Sequence, residues 1–155
     1  MDPRSPEFLQ SIDAALRTGN PLEEVLARTL AHFAADSGTI HLLDPDGVLH
    51  LKAASAGIPA VVLETVRRIP VGKGMAGLAV ERRRPVTACN LQTDTSGDVR
   101  PGARATGLEG AIVVPVMRGQ EAVGALGIAN RAERTFSEEE TALLLEVGRR
   151  VAAAG

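Results

Sequence analysis

The chain has 155 residues, a formal net charge of -2 and 45% hydrophobic residues, with three Phe and no Trp or Tyr. That length fits one domain, and its core must be built from aliphatic side chains. The balanced charge and the scarcity of aromatic residues argue against a nucleic-acid partner, because such partners require basic surfaces or stacking platforms.

The single cysteine, Cys89, excludes an intramolecular disulfide and a cysteine-based zinc site. The first ten residues lack the apolar segment of a secretory signal. No apolar run approaches the roughly 20 residues that cross a bilayer. We therefore expect a cytoplasmic protein with no membrane partner.

Two helices are predicted at the start of the chain. A short one covers about residues 8–16, and the second opens with Asn20 as N-cap, Pro21 at the first helical position and Glu23 as capping-box partner. The second helix carries His32, which has no obvious partner in the sequence.

After Gly38 the hydrophobic period changes from 3.6 to 2, which predicts a β-hairpin over TIHLLDPDGVLHLKA with a turn at 44–47. Symmetry about the turn pairs Leu43 with Val48 and His41 with His50. Both histidines lie on the polar phase of their strands, so we expect them to be solvated. A metal site would need a third ligand, and the sequence offers none nearby.

A helix predicted over 59–68 leads into GKGMAG, in which Gly72, Gly74 and Gly77 match G-x-G-x-x-G. A dinucleotide-binding loop would follow a strand within a βαβ unit. Here the preceding run is helical, so we interpret the segment as a hinge whose glycines supply unusual backbone angles and close packing. Free N–H groups at the start of the helix over 75–81 could still meet an anion, with Lys73 at the mouth of a pocket.

The second half of the chain predicts a short strand at 85–89, an irregular stretch at 90–110, and two strands at 111–117 and 121–130. A capping box from Ser137 to Glu140 opens the last helix. The polar residues of the irregular stretch either recognise a polar ligand or are ordinary turn residues. No Ser–His–Asp set and no carboxylate pair indicates catalysis.

Four segments, in this order and spacing, resemble a GAF domain: LLDPDGVLHLKAASAG, IPVGKGMAGLAVERRRPV, AIVVPVMRGQEAVGALGIAN and FSEEETALLLEVGRRVA. The resemblance covers nearly the whole chain. It implies an α+β fold with an antiparallel five- or six-stranded sheet and helices on both faces. It implies one domain over 1–155, with an N-terminal helix (1–19), a sensor core (20–136) and a C-terminal helix (137–155).

The resemblance also implies a non-enzymatic sensor of bacterial signalling proteins, which binds an unknown small molecule without a further cofactor and is covalently linked to an output domain. A homodimer through the terminal helices is expected, on apolar residues that comprise Leu9, Ile12, Leu143 and Val147. The expected ligand-binding residues are Ser55, Lys73, Met75, Asn90, Asp94, Arg100 and Arg104. One alternative is a ligand-free dimerisation module.

Another alternative is a GAF-type methionine sulfoxide reductase, but such enzymes use several cysteines and this chain has one. Bilin-binding and haem-binding relatives use aromatic or histidine residues that the irregular stretch lacks. We therefore expect Cys89 to be a small buried residue near a strand end.

NRAERTFSEEE is similar to the signature of cyclic-nucleotide-binding GAF domains. Asn130, Phe136 and Glu140 match it, but Arg131 replaces a lysine and Thr141 replaces the second acid. These departures weigh against a cyclic nucleotide. They favour an ion pair between Arg131 and Glu140 that clasps the last strand to the last helix.

Overall fold

The computed structural model describes residues 5–93 and 107–154. Within those ranges the helices are α1 (Ser5–Ala15), α2 (Pro21–Phe33), α3 (Ala60–Val66), α4 (Gly74–Arg82) and α5 (Glu138–Ala154). The strands are β1 (Ser37–Leu43), β2 (Val48–Ala54), β3 (Arg68–Pro70), β4 (Val86–Ala88), β5 (Gly110–Arg118) and β6 (Glu121–Asn130).

The six described strands form one sheet in the order β3-β2-β1-β6-β5-β4, and every neighbouring pair is antiparallel. The two hairpins, β1–β2 and β5–β6, meet at the centre of the sheet, where β1 pairs with β6. Helices pack on both faces, which confirms the predicted α+β class. None of the described helices is long and apolar enough to cross a membrane.

Strand β5 shows how the two faces are filled. Ile112, Val114 and Val116 are fully buried in the larger core, to which α1, α2 and α5 contribute. Val113 points the other way and packs in a smaller cluster with Val80 of α4. This alternation follows from the period of two in a strand. Burying each such aliphatic side chain stabilises the fold by roughly 1.5–3 kcal/mol.

The first hairpin has a register that differs by one residue from the predicted one. Leu43 pairs with Leu49, and His41 pairs with Leu51 rather than His50. The reason lies in Asp44, whose N–H donates to the Val48 carbonyl (2.9 Å), so that only residues 45–47 remain in the loop. Between Ile40 and His41 the register shifts again, at a β-bulge.

The helix-start signals were only partly predictive. Ser137 and Glu140 form the predicted capping box, because the Ser137 N–H donates to Glu140 Oε1 (3.0 Å) and the Glu140 N–H donates to Ser137 Oγ (3.1 Å). Asn20 is the N-cap of α2 and Pro21 follows it, but the Asn20 side chain makes no capping hydrogen bond. The position of the N-cap was therefore predicted correctly, whereas the side-chain hydrogen bond that a capping box with Glu23 requires is not formed by Asn20.

The GKGMAG segment joins β3 to α4, so a strand precedes it and not the predicted helix. The described strands pair only in antiparallel fashion, so the segment still does not belong to a βαβ unit, and its glycines have the predicted roles. Gly72 (φ 89°) and Gly74 (φ 64°) have left-handed backbone conformations that favour glycine. A Cβ on Gly77 would lie 2.5 Å from the Pro70 carbonyl oxygen, so this glycine permits close packing. The predicted helix over 59–68 was too long: α3 ends at Val66, and β3 follows it because its backbone pairs with β2.

Candidate functional site

A cavity of about 340 Å³ lies between the sheet and the segment that contains α3 and the start of α4. Strands β1, β5 and β6 form its floor, and α3 with the residues before it covers one side. Met75 and Ala76 at the start of α4 contribute to the wall, as do Leu91 and Leu108 on either side of the stretch outside the described residues. The wall is mostly apolar.

Small residues leave the room for this cavity. Ala111, Gly127 and Ala129 lie on the floor, where larger side chains would fill the space. Gly127 pairs with Thr39 across the β1–β6 ladder. A Cβ on Gly127 would lie 3.1 Å from Val113 Cγ2 and 3.8 Å from Thr39 Oγ1. The absence of a side chain at this position therefore leaves space above the floor of the cavity.

Strand β1 provides a row of polar side chains to the cavity. Ser37, Thr39 and His41 line it, whereas Ile40, between them, is fully buried in the larger core on the opposite face. Ser37 Oγ lies 3.1 Å from Ser55 Oγ, which also accepts the Gly38 N–H. The alternation of the strand thus separates a polar row from an apolar one.

His41 is the most deeply buried polar residue of this wall, at 2% exposure. Its Nε2 lies 2.8 Å from the Val66 carbonyl oxygen in α3 and donates a hydrogen bond to it. Burial lowers the pKa of His41, and the Val66 carbonyl offsets that shift only in part. The prediction of a solvated His41 was wrong, because α3 covers the polar phase of β1.

Two exposed charged residues, Asp36 and Arg131, lie at the rim of the cavity. The backbone N–H of Arg131 donates to Asp36 Oδ2 (2.8 Å), which fixes the end of β6 beside the start of β1. The predicted clasp between Arg131 and Glu140 was therefore wrong in its arginine. Arg134 makes that bond instead, with its Nη2 donating to Glu140 Oε2 (2.6 Å).

Arg134 has further partners, which hold its guanidinium in place beside Glu140. Its Nη1 donates to the Phe33 carbonyl oxygen (2.7 Å) and to Asn130 Oδ1 (2.8 Å), and its guanidinium lies over the Phe136 ring. Burial opposes ionisation of Glu140, but the Ser137 N–H and Arg134 outweigh it and lower the pKa of that carboxyl.

The expected ligand-binding residues are not all at the cavity. Met75 lines the cavity. Ser55 does not line it but is hydrogen-bonded to Ser37, which does. Lys73 is exposed and is not among the described lining residues. Asn90 is also not among those lining residues, and its Nδ2 donates to Glu133 Oε1 (2.8 Å). Asp94, Arg100 and Arg104 lie outside the described residues, and their role stays a prediction.

The single cysteine and the two other histidines make local contacts. Cys89 is exposed rather than buried, and Thr135 Oγ1 lies 3.8 Å from its Sγ. His32 stacks on the Phe8 ring at a centroid distance of 4.0 Å, a partner that the sequence did not indicate. His50 Nε2 lies 2.6 Å from Asp44 Oδ2. Among the described residues no group of three or more His, Cys, Asp or Glu could hold a metal ion.

Sequence reasoning missed Thr39 and His41 as cavity residues. A signal was present, because Ser37, Thr39 and His41 alternate with Gly38 and Ile40 in the strand that precedes the turn. That pattern indicates a polar face. It does not indicate that a helix covers the face, which depends on packing between distant segments.

The fold and its cavity define the chain as a GAF-type domain. The profile of the GAF domain family matches residues 20–154, and the chain belongs to this family. No curated protein matches the chain.

Solved structures agree on the fold. The GAF domain of a phosphoenolpyruvate-protein phosphotransferase from Acinetobacter is similar, with 20% identity, TM-score 0.81, and coverage of 99% of this chain and 93% of that one. The corresponding domain from Coxiella burnetii has 23% identity, TM-score 0.80, and coverage of 97% and 92%. A free methionine-R-sulfoxide reductase from Neisseria meningitidis, solved with its substrate, has 17% identity, TM-score 0.77, and coverage of 99% and 91%.

Proposed function

We propose that this domain is a sensor that binds a small, largely apolar molecule in the cavity between the sheet and α3. The observation that carries the proposal is the cavity itself. Its volume of about 340 Å³ is in the range of small-molecule sites, and its apolar wall contains a few polar groups, as such sites do.

The signal would pass through the sheet to the terminal helices. Strands β1, β5 and β6 present one face to the cavity and the other to the larger core, where Ile40, Ile112 and Ile128 pack with residues of α1, α2 and α5. A ligand that favours one arrangement of the floor would therefore bias the packing of these helices. An output domain joined to the chain would receive that change.

A thermal-shift screen of small neutral compounds tests the proposal. A ligand at 100 times its Kd should stabilise the domain by about 2.7 kcal/mol. Ala129→Leu fills the floor of the cavity and should abolish the shift. Ala31→Leu makes the same change on the exposed side of α2 and should leave it intact. Ala76→Leu provides a second filling variant if Ala129→Leu does not fold.

Compounds that stabilise the filled and unfilled variants equally would bind elsewhere and overturn this assignment. An absence of any hit would favour the ligand-free dimerisation module instead.

The likeness to the Neisseria meningitidis enzyme favours a second candidate, reduction of free methionine-R-sulfoxide. Against it, the chain contains one cysteine, whereas a thiol that attacks a sulfoxide needs a second thiol to resolve the oxidised form. Cys89 is also not among the described residues that line the cavity.

Incubation with methionine-R-sulfoxide and an external dithiol, followed by amino-acid analysis, decides between the two candidates. A sensor should give no turnover. Turnover that is lost in Cys89→Ser would establish the enzyme and replace the proposed function.

A further inference from the structure

We propose that Nδ1 of His41 accepts a hydrogen bond from the ligand, so that the cavity selects apolar molecules that carry an N–H or O–H donor. The inference rests on the proposed function and specifies the chemistry of its ligand. It follows from the tautomer of one buried side chain and from what surrounds it.

The Val66 carbonyl fixes the tautomer of His41. A carbonyl oxygen can only accept, so Nε2, which lies 2.8 Å from it, must carry a proton. Burial lowers the pKa of this histidine and keeps the ring neutral at physiological pH. In a neutral ring with a proton on Nε2, the other nitrogen has a free lone pair. Nδ1 is therefore an acceptor.

That acceptor has no partner within the described part of the chain. Within the described residues, the His41 side chain makes a single hydrogen bond, which runs from Nε2 to the Val66 carbonyl oxygen. Among the described residues, every side-chain nitrogen or oxygen that is fully buried has a hydrogen-bond partner. An unpaired Nδ1 therefore borders open space, and the open space that His41 lines is the cavity.

The surroundings favour a donor on an otherwise apolar molecule. Val62, Val66 and Ile69 lie in the wall with His41 and would exclude water around a bound ligand. A ligand without a donor would bind weakly, because it would remove water from the Nδ1 lone pair without replacing the lost hydrogen bond. The charged lining residues, Asp36 and Arg131, are exposed at the rim and of opposite sign.

Matched pairs of probes test this inference: indole against 1-methylindole, and 2-naphthol against 2-methoxynaphthalene. Each pair differs by one methyl group that removes the donor. The full chain, labelled with ¹⁵N-histidine, is titrated with each probe while the ring nitrogens of His41 are observed by NMR. Affinities come from the same titrations.

We expect three results. The free protein shows His41 as the neutral tautomer with its proton on Nε2. The donor member of each pair binds at least about tenfold tighter and shifts the Nδ1 resonance. His41→Phe, which keeps a planar ring but has no acceptor nitrogen, binds both members within about threefold of each other. His50→Phe, the same substitution outside the cavity wall, keeps the discrimination.

Other results would overturn the inference, and they separate it from the proposed function. If both members of each pair bind the wild type equally, or if Nδ1 carries the proton, the role of His41 is wrong while the cavity remains a binding site. If no probe shifts the ring resonances of His41, the cavity does not bind molecules of this kind. The proposed function then fails together with the inference.

Discussion

His41 should make the stability of the domain depend on pH. Its pKa in the folded state lies below the ordinary value of 6.5, because burial disfavours the charged ring. The unfolded chain therefore binds a proton near pH 6.5 that the folded chain does not bind until a lower pH. Stability from this residue is complete above about pH 6.5 and falls as the pH is lowered through that value.

Urea unfolding between pH 8 and pH 5 measures this effect. The wild type should lose free energy of unfolding below about pH 6.5 faster than His41→Gln does, by at most about 1.4 kcal/mol per pH unit. The pKa of Asp44 is lowered by the Val48 N–H and by His50, so its contribution is lost only below its ordinary value of 3.8. Parallel curves for the two proteins would show that His41 is not buried as described.

The histidine also shows how far residue-level prediction from sequence reaches. The period of two placed His41 on the same phase as Thr39, which is correct. It could not show that α3 covers that phase, because α3 begins about twenty residues later in the chain. The hydrogen bond between His41 and Val66 is a product of tertiary packing, and no local pattern indicates it.

At the scale of elements, Gly77 couples α4 to the end of β3. We expect Gly77→Ala to lower the free energy of unfolding by about 1–3 kcal/mol, because the new Cβ would lie 2.5 Å from the Pro70 carbonyl oxygen and the backbone must move. The expected loss is the net change, after the gain in helix propensity of about 1 kcal/mol that alanine provides within α4. Chemical denaturation measures it.

Gly19→Ala is the matched control. No atom lies within 4 Å of the added Cβ, so stability should stay the same or rise by up to about 1 kcal/mol. Equal effects of the two substitutions would contradict a packing role for Gly77.

Arg134 ties α2, β6 and α5 together. Its guanidinium donates to the Phe33 carbonyl, to Asn130 and to Glu140, one partner from each of the three segments. Arg134→Ala should cost about 2–3 kcal/mol of stability, since it leaves half-buried acceptors unpaired. Arg134→Lys should recover only part of the loss, because lysine lacks the planar fork.

Arg149→Ala serves as the control for this clasp. Arg149 is 56% exposed and pairs with Glu146 within the same helix, so its loss should change stability by no more than about 0.5 kcal/mol. A loss for Arg134→Ala as small as that for Arg149→Ala would show that the clasp does not hold the segments together.

Local signals predicted these elements well where the causes are local. The capping box at Ser137 and the backbone angles of Gly72 and Gly74 depend on neighbouring residues, and both were predicted correctly. Strand β3 was missed because its three residues become a strand only by pairing with β2. The clasp was assigned to Arg131 because that residue stands at the lysine position of the resembled signature, whereas Arg134 is the residue that bonds Glu140.

For the whole molecule, the question is what the terminal helices pack against. Ile12 of α1 and Val147 of α5 were expected to support a homodimer, but both are fully buried in the core of their own chain. Leu9 and Leu143 are half-buried and line a separate cavity between α1, α2 and α5. A homodimer remains a proposal, and any interface would have to use surface other than Ile12 and Val147.

The concentration dependence of stability distinguishes packing within the chain from packing between chains. Val147→Ala should lower the free energy of unfolding by about 2 kcal/mol, because it removes fully buried methyl groups and leaves a cavity. The loss should be the same over a hundredfold range of protein concentration, since the contacts lie within one chain. Val61→Ala changes a side chain that is 72% exposed and should alter stability by less than about 0.5 kcal/mol. A loss for Val147→Ala that varies with concentration would instead place this residue at an interface between copies.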